Sequence, residues 1–367
     1  MHILIAPTAF KGSLTPTQAA DAILAGLRRS GLDATYDRLP LADGGDGTLE
    51  SFLATGGRRV EVETVDALMH RIHAPIALFD DGTAVVEMAL ASGLALIAPG
   101  ERDALRATSD GTGLLMRAAL DARARRVIVG LGGSATTDGG AGILGELGAD
   151  FADWPVVRLD GLDPRLAEVE LRVACDVTNP LLGEHGAAAT YGPQKGADPE
   201  QVRQLDASLR DWADALEWAT GRQERDTPGA GAAGGTGFGL LAIQDRFRSF
   251  ALRPGVDLVL EATGAADAIR DADVVLTGEG RIDAQTAFGK TALGVARRAR
   301  EAGRACIALG GGITVEGIEA LAAVGAVAVP TAEGPATLED LIAAGRAPLE
   351  RAAERIARLI SIGTGGA

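Results

Sequence analysis

Cysteine is almost absent. Cys175 and Cys306 are the only two in 367 residues, and neither belongs to a CxxC pair or a Cys/His cluster. A disulfide framework and a structural zinc site therefore find no support, and a reducing compartment fits. Positive charge is also short. A net charge of -15 with a pI near 4.8 opposes a nucleic acid or an anionic membrane as the main partner, because both repel an acidic protein at long range. No apolar run reaches the roughly 18 residues of a membrane span. The opening HILIAP lacks the basic flank of a signal peptide and reads as a short strand. These absences lead us to expect a cytoplasmic protein. Aromatic residues are few as well, with 8 Phe, 3 Trp and 2 Tyr against 50 glycines. The glycines cluster at junctions instead of forming a low-complexity tract, which suggests functional loops on an α/β scaffold.

The length allows two or three domains. The N-terminus alternates strand, helix and strand: HILIA, then 16–30 with Ala19, Ile23 and Leu27 at helical spacing, then ATYDRLP. RRVEVETV, RIHAPIALF and TAVVEMA follow as a strand meander, which is foreign to a doubly wound sheet. RRVIVG and LRVACDV read as further strands, 199–220 as the clearest amphipathic helix, and GRQERDTPGAGAAGGTG as a mobile connection. Regular strand and helix alternation resumes from Asp273, through DVVLTG, RACIALGG and AVAVP to a terminal helix over about 348–360. One parallel sheet can draw strands from both termini. The expected division is a discontinuous parallel-sheet domain, 1–65 with 255–367, interrupted by a mixed α/β domain over 66–254.

Three glycine-rich segments each follow a strand and enter a helix. In LGGSATTDGGAG, 131–142, unpaired backbone N–H groups and a helix N-terminus make an anion site. Ser134, Thr136 and Thr137 add hydroxyls, and Asp138 is a candidate metal holder. There is no GK[ST], so this is not a Walker A loop. A tight turn would use the same glycines, so the other loops must decide. ADGGDGT, 42–48, places Asp43 and Asp46 at a strand's carboxyl edge, with Asp46 the better helix cap. TGEGRIDAQTAFGKT, 277–291, gathers Glu279, Arg281, Asp283, Gln285, Thr286 and Lys290, and Arg281 offers a planar fork to a carboxylate or phosphate. Lys11 and Ser13 follow the first strand, while Asp176, Asn179, Gln194 and Lys195 lie in CDVTNPLLGEHGAAATYGPQKGA. His70 and His73 fall in strand-rich sequence, where their spacing turns them to opposite faces, against a shared metal. Polar glycine loops at strand ends, without Cys or His at their centres, suit phosphoryl transfer. The first turn, APTAFKGS, lacks the GxGxxG that hydride transfer to a dinucleotide would need.

IAPTAFKGSLT, PLADGGDGT, GLGGSATTDGGAG, ACDVTNPLLG, YGPQKGA and LTGEGRIDAQTAFGK resemble, in order, the signature segments of the type I glycerate kinase family. The resemblance implies ATP- and magnesium-dependent phosphorylation of D-glycerate, most often at the 2-hydroxyl. It also implies a Rossmann-like or flavodoxin-like domain interrupted by a second α/β domain, with the active site in the cleft between them. Thr8 and Ala9 stand where the family usually has an acid and a serine, Asp46 replaces a glutamate, and Thr137 replaces an asparagine. FADWPVVRLD is shorter than the usual segment.

On this reading Gly132, Gly133, Ser134, Ala135, Thr136, Gly139 and Gly140 bind ATP phosphates, with Lys195 and Lys290 supplying charge. Lys11 and Arg281 hold carboxylate or transferring phosphate, Asp43 or Asp283 orients the acceptor hydroxyl, and Asp138 and Asp176 take magnesium. Ser13, Gly44, Gly45, Asn179, Glu279 and Gln285 complete the substrate contacts. The expected partners are D-glycerate and ATP, with no nucleic acid or membrane, and the expected state is a monomer or homodimer. Phosphorylation at the 3-hydroxyl, a kinase for another small hydroxy acid and a non-catalytic nucleotide or metabolite sensor are the alternatives.

Overall fold

The computed structural model describes residues 1–10, 12–41, 47–283 and 291–363. Its strands are β1 (His2–Pro7), β2 (Thr35–Arg38), β3 (Arg58–Val65), β4 (Arg71–Leu78), β5 (Thr83–Glu87), β6 (Arg126–Gly130), β7 (Glu170–Ala174), β8 (Ser249–Arg253), β9 (Val274–Ile282), β10 (Ala305–Ile313) and β11 (Ala326–Pro330). They form two sheets in two units, Met1–Asp43 with Val256–Ala367, and Gly44–Gly255.

Short, nearly continuous apolar runs such as ILIA mark strands buried on both faces, as parallel strands are. β1 is parallel to β2 on one side and to β9 on the other, and the sheet runs β11-β10-β9-β1-β2. Ranked within this unit, the order is 2-1-3-4-5, the flavodoxin arrangement. Ile3, Ile5, Leu276 and Leu309 bury against the helices Pro16–Arg29 and Ala347–Gly363. Thr15 and Gln18 form a capping box at the start of the first helix. A Cβ at Gly26 would lie 2.0 Å from the Glu350 carbonyl oxygen, so glycine is what lets these helices pack so closely.

The second unit carries the sheet β3-β4-β5-β6-β7-β8. The meander is antiparallel from β3 to β5, and β5 to β8 are parallel. A core cluster of buried residues in this unit runs from Ala74 to Phe247.

Three expectations change. The first concerns the domain boundary, which moves from about 65 to 43. β3 pairs with β4 over its whole length, Arg58 with Leu78 through Val65 with Arg71, and so belongs to the second sheet. The second concerns the TGEGRI segment, expected to leave the sheet after its first residues. It instead continues as β9, with Glu279 opposite Gly310 and Arg281 opposite Gly312. A Cβ at Gly311 would meet the Gly280 carbonyl at 2.5 Å, so glycine allows the ladder to extend. The third is the connection after the helix Pro199–Thr220, expected to be mobile, which leads into the helix Ala232–Ala242, where nearly every residue is buried.

Candidate functional site

The parallel strands of the second unit end side by side, with Glu87 opposite Gly130 and Gly130 opposite Ala174. The carboxyl ends of such strands are where open α/β sheets take ligands. The loop Leu131–Gly140 leaves β6 and enters the short helix Ala141–Glu146. Its turns need positive φ at Gly133, Gly139 and Gly140. The Gly133 carbonyl accepts from Leu94 N–H and Ala135 N–H donates to the Ser92 carbonyl, which pins the middle of the loop to the 92–94 segment. Among the described residues, the N–H groups of Gly132, Gly133 and Ser134 meet no protein acceptor. Gly133 is exposed, Gly132 half-buried and Ser134 buried, so the unpaired amides of the two glycines are open to a ligand. Thr137 Oγ1 is buried without a partner, and Thr136 Oγ1 makes a long bond, 3.4 Å, to the Ala233 carbonyl.

Asp138 is committed to shaping the loop. Its carboxylate accepts from Ser109 N–H at 2.8 Å, Ser109 Oγ at 2.7 Å, Gly140 N–H at 3.1 Å and Gly142 N–H at 3.2 Å. Three of these donors fall on Oδ2 and one on Oδ1, so the carboxylate is held in place within the loop. Gly139 is similarly internal. Its N–H donates to the Gly234 carbonyl, its C=O accepts from Trp212 Nε1 at 3.0 Å, and a Cβ there would strike the Trp212 ring at 2.3 Å. Gly140 N–H is spent on Asp138, so both glycines shape the turn.

Lys195 lies inside the loop. It is 2 % exposed, and its Nζ donates to the Thr136 carbonyl at 2.5 Å and Ser134 Oγ at 3.1 Å. Burial drives its pKa down to about 7, against a smaller opposing pull from Asp138. It braces the loop from within, where the sequence suggested a cation facing it from outside.

The neighbouring loops are also tied down. Asp176 Oδ1 accepts from Gly255 N–H at 2.8 Å, joining the ends of β7 and β8. Asn179 donates its amide to the His185 carbonyl and accepts at Oδ1 from Tyr191 OH, both at 2.8 Å, which clamps its own loop. Burial raises the Cys175 thiol to about 11, which leaves it inert at neutral pH. Glu87, which the sequence did not single out, is 2 % exposed at the end of β5 and accepts from Gly47 N–H at 3.0 Å and Leu49 N–H at 2.8 Å. It thus satisfies the N-terminus of the helix Thr48–Leu53. His70 Nδ1 pairs with Asp66 Oδ2 at 2.9 Å within the β3–β4 turn. Among the described residues, no three His, Cys, Asp or Glu side chains gather as a metal cluster.

In the first unit Arg281 is exposed and paired with the mostly buried Asp283 at 3.1 Å, while Glu279 is buried. Ser13 is half-buried in a tight turn in which its N–H donates to the Phe10 carbonyl. Thr8, where the family has an acid, donates its hydroxyl to the Gly278 carbonyl at 3.1 Å. The expected roles of Lys11, Asp43, Gly44, Gly45, Gln285 and Lys290 fall outside the described residues.

Sequence reading also missed the second glycine turn, whose signal was the string AGAAGGTG. Gly234 and Gly239 let it pack against the first, since Cβ atoms there would meet the Thr136 carbonyl at 1.9 Å and the Gly139 carbonyl at 2.5 Å.

Open amides at a strand end, with hydroxyls and a buried lysine beside them and without a nucleophilic Cys or His, suit chemistry that positions phosphate. The class they define is the phosphotransferases that act on an alcohol. The chain belongs to the glycerate kinase family, whose model matches residues 3–361. It is 45% identical to the glycerate kinase of Haemophilus influenzae, over 98% of this chain and 99% of that protein. It is 39% identical to the glycerate 2-kinase of Escherichia coli, over 99% of each. A Salmonella typhimurium LT2 crystal structure assigned as glycerate kinase 2 superposes with a TM-score of 0.84 at 41% identity, covering 99% of both chains.

Proposed function

We propose that this protein transfers the γ-phosphoryl group of ATP to the 2-hydroxyl of D-glycerate, giving 2-phosphoglycerate and ADP. The observation that carries the reading is the Leu131–Gly140 loop, with open amides at Gly132 and Gly133 above a buried lysine, in a chain coextensive with glycerate kinases. These amides hold phosphate oxygens, and the Ser134 and Thr136 hydroxyls support them. The curated relative named for the 2-position favours that hydroxyl as acceptor.

Arg281 serves as the fork for the glycerate carboxylate or the transferring phosphate, a role shared with Lys11. Asp283 or Asp43 orients the acceptor hydroxyl, for which a loose transition state demands position more than deep deprotonation. Asp176, at the end of β7, is the carboxylate that would hold a magnesium ion, which would neutralise charge on the ATP phosphates.

Phosphorus NMR of the product from D-glycerate and MgATP tests the assignment. A 2-phosphate resonance is expected, and a 3-phosphate, or ADP release only with a different hydroxy acid, overturns it. Arg281→Ala should lower turnover by orders of magnitude while leaving Tm nearly unchanged, because its guanidinium is largely exposed. Steady-state kinetics beside a thermal melt reads both.

A further inference from the structure

The chain carries 35 basic residues, of which only three, Lys11, Lys195 and Lys290, are lysines. Each adjoins a glycine, and arginine supplies every other side-chain cation. Lys195 is also among the most buried charged groups in the protein. A buried ammonium is ordinarily paired with a carboxylate, because leaving it alone costs several kcal/mol. Among the described residues Lys195 has no carboxylate oxygen within 4 Å, and its two hydrogen-bond partners are neutral.

The groups around it do not supply the missing charge. Asp138 acts on it at a distance, with its carboxylate spent on Ser109, Gly140 and Gly142. Arg102 packs against the Gly196 backbone and donates to the Gln194 carbonyl, adding a second cation. Tyr191, in the preceding helix Ala187–Tyr191, donates its hydroxyl to Asn179. Asp198 caps the following helix through Glu200 and Gln201 N–H.

We propose that Lys195 is a positioning residue that serves as the internal counter-charge of the phosphate loop: a phosphate bound at the Gly132–Ser134 amides completes the ion pair, so that binding draws one proton from solvent onto the Lys195 amine. This deepens the phosphate-loop role given above and rests on it. The proton balance is simple. The neutral amine takes up H⁺ from the buffer and no other bond changes. The ordinary lysine pKa would leave no proton to take up, but burial holds the amine near half-protonation at neutral pH. Arginine, fixed as a cation, cannot make this exchange.

Calorimetric titration of the full chain with the magnesium complex of the non-hydrolysable ATP analogue AMPPNP tests this at pH 8, where the nucleotide is fully ionised. HEPES and Tris differ in ionisation enthalpy, so the difference in heat counts protons. The wild-type protein should take up close to one proton per nucleotide. Lys195→Arg should bind with uptake near zero, and Lys195→Met should bind more than tenfold more weakly, with folding of each checked by circular dichroism. Equal heats in the two buffers for the wild type, or unchanged uptake in Lys195→Arg, overturn the inference while leaving the kinase assignment intact. If either variant fails to fold, the wild-type buffer comparison alone decides. Absence of any binding by the wild type removes the phosphate-loop reading and this inference together, whereas the product NMR tests the glycerate reaction separately.

Discussion

At the residue scale, two groups that the sequence marked for ligand contact carry the loop instead. Asp138 gathers four donors from two segments, so Asp138→Ala removes a helix cap and orphans the Ser109 N–H and hydroxyl. We expect a loss of about 2 kcal/mol, read from urea unfolding curves. Lys195 sets a pH dependence of opposite sign to that of a salt-bridged lysine. Its folded-state pKa, about 7, lies below the value of about 10.4 in an unfolded chain. Between those values the unfolded chain holds the extra proton, so this group's contribution to stability rises with pH across the window and falls away as pH drops through 7. The wild type should therefore gain more stability than Lys195→Met between about pH 7 and pH 9, in the same urea assay.

At the element scale, glycine acts by permitting contact as much as by permitting turns. The helix Ala232–Ala242 opens through left-handed Ala233, Gly234 and Gly235, and this turn presses against the phosphate loop. Gly234→Ala adds a Cβ 1.9 Å from the Thr136 carbonyl at a φ of +68°. Backbone would have to move at the oxygen that Lys195 holds. Calorimetric melting should show a loss of several °C, and AMPPNP affinity should drop with it. The segment looked mobile in sequence because a string of small residues has no hydrophobic period. Its order comes from close packing against a partner about 100 residues away in the chain, which local pattern cannot reveal.

At the scale of the whole molecule, each core cluster among the described residues stays within one unit. The cluster of the second unit runs from Ala74 to Phe247, and the cluster around β1 uses only residues of the first unit. A fragment spanning 44–255 should therefore fold on its own with a cooperative thermal transition. It should also bind AMPPNP, since the loop and Lys195 are internal to it, yet phosphorylate no glycerate, since Arg281 and Asp283 are missing. Circular dichroism, calorimetry and product NMR report the three outcomes. A broad, non-cooperative melt would mean that the second unit depends on the first.

The strand and helix alternation at both ends, the interrupting meander and the amphipathic helix Pro199–Thr220 were legible in the sequence, because hydrophobic period and capping residues are local signals. The order of glycine loops was legible too, and with it the family. What only the tertiary structure decided was which of those polar residues point outward and which are spent within the protein. Membership of β3 in the second sheet, the closure of Asp138 on Ser109 and of Asn179 on Tyr191, and the burial of Lys195 all depend on partners distant in sequence. A side chain's residue type states what bonds it can make. The fold determines whether those bonds are already made, and so whether the group remains available to a ligand.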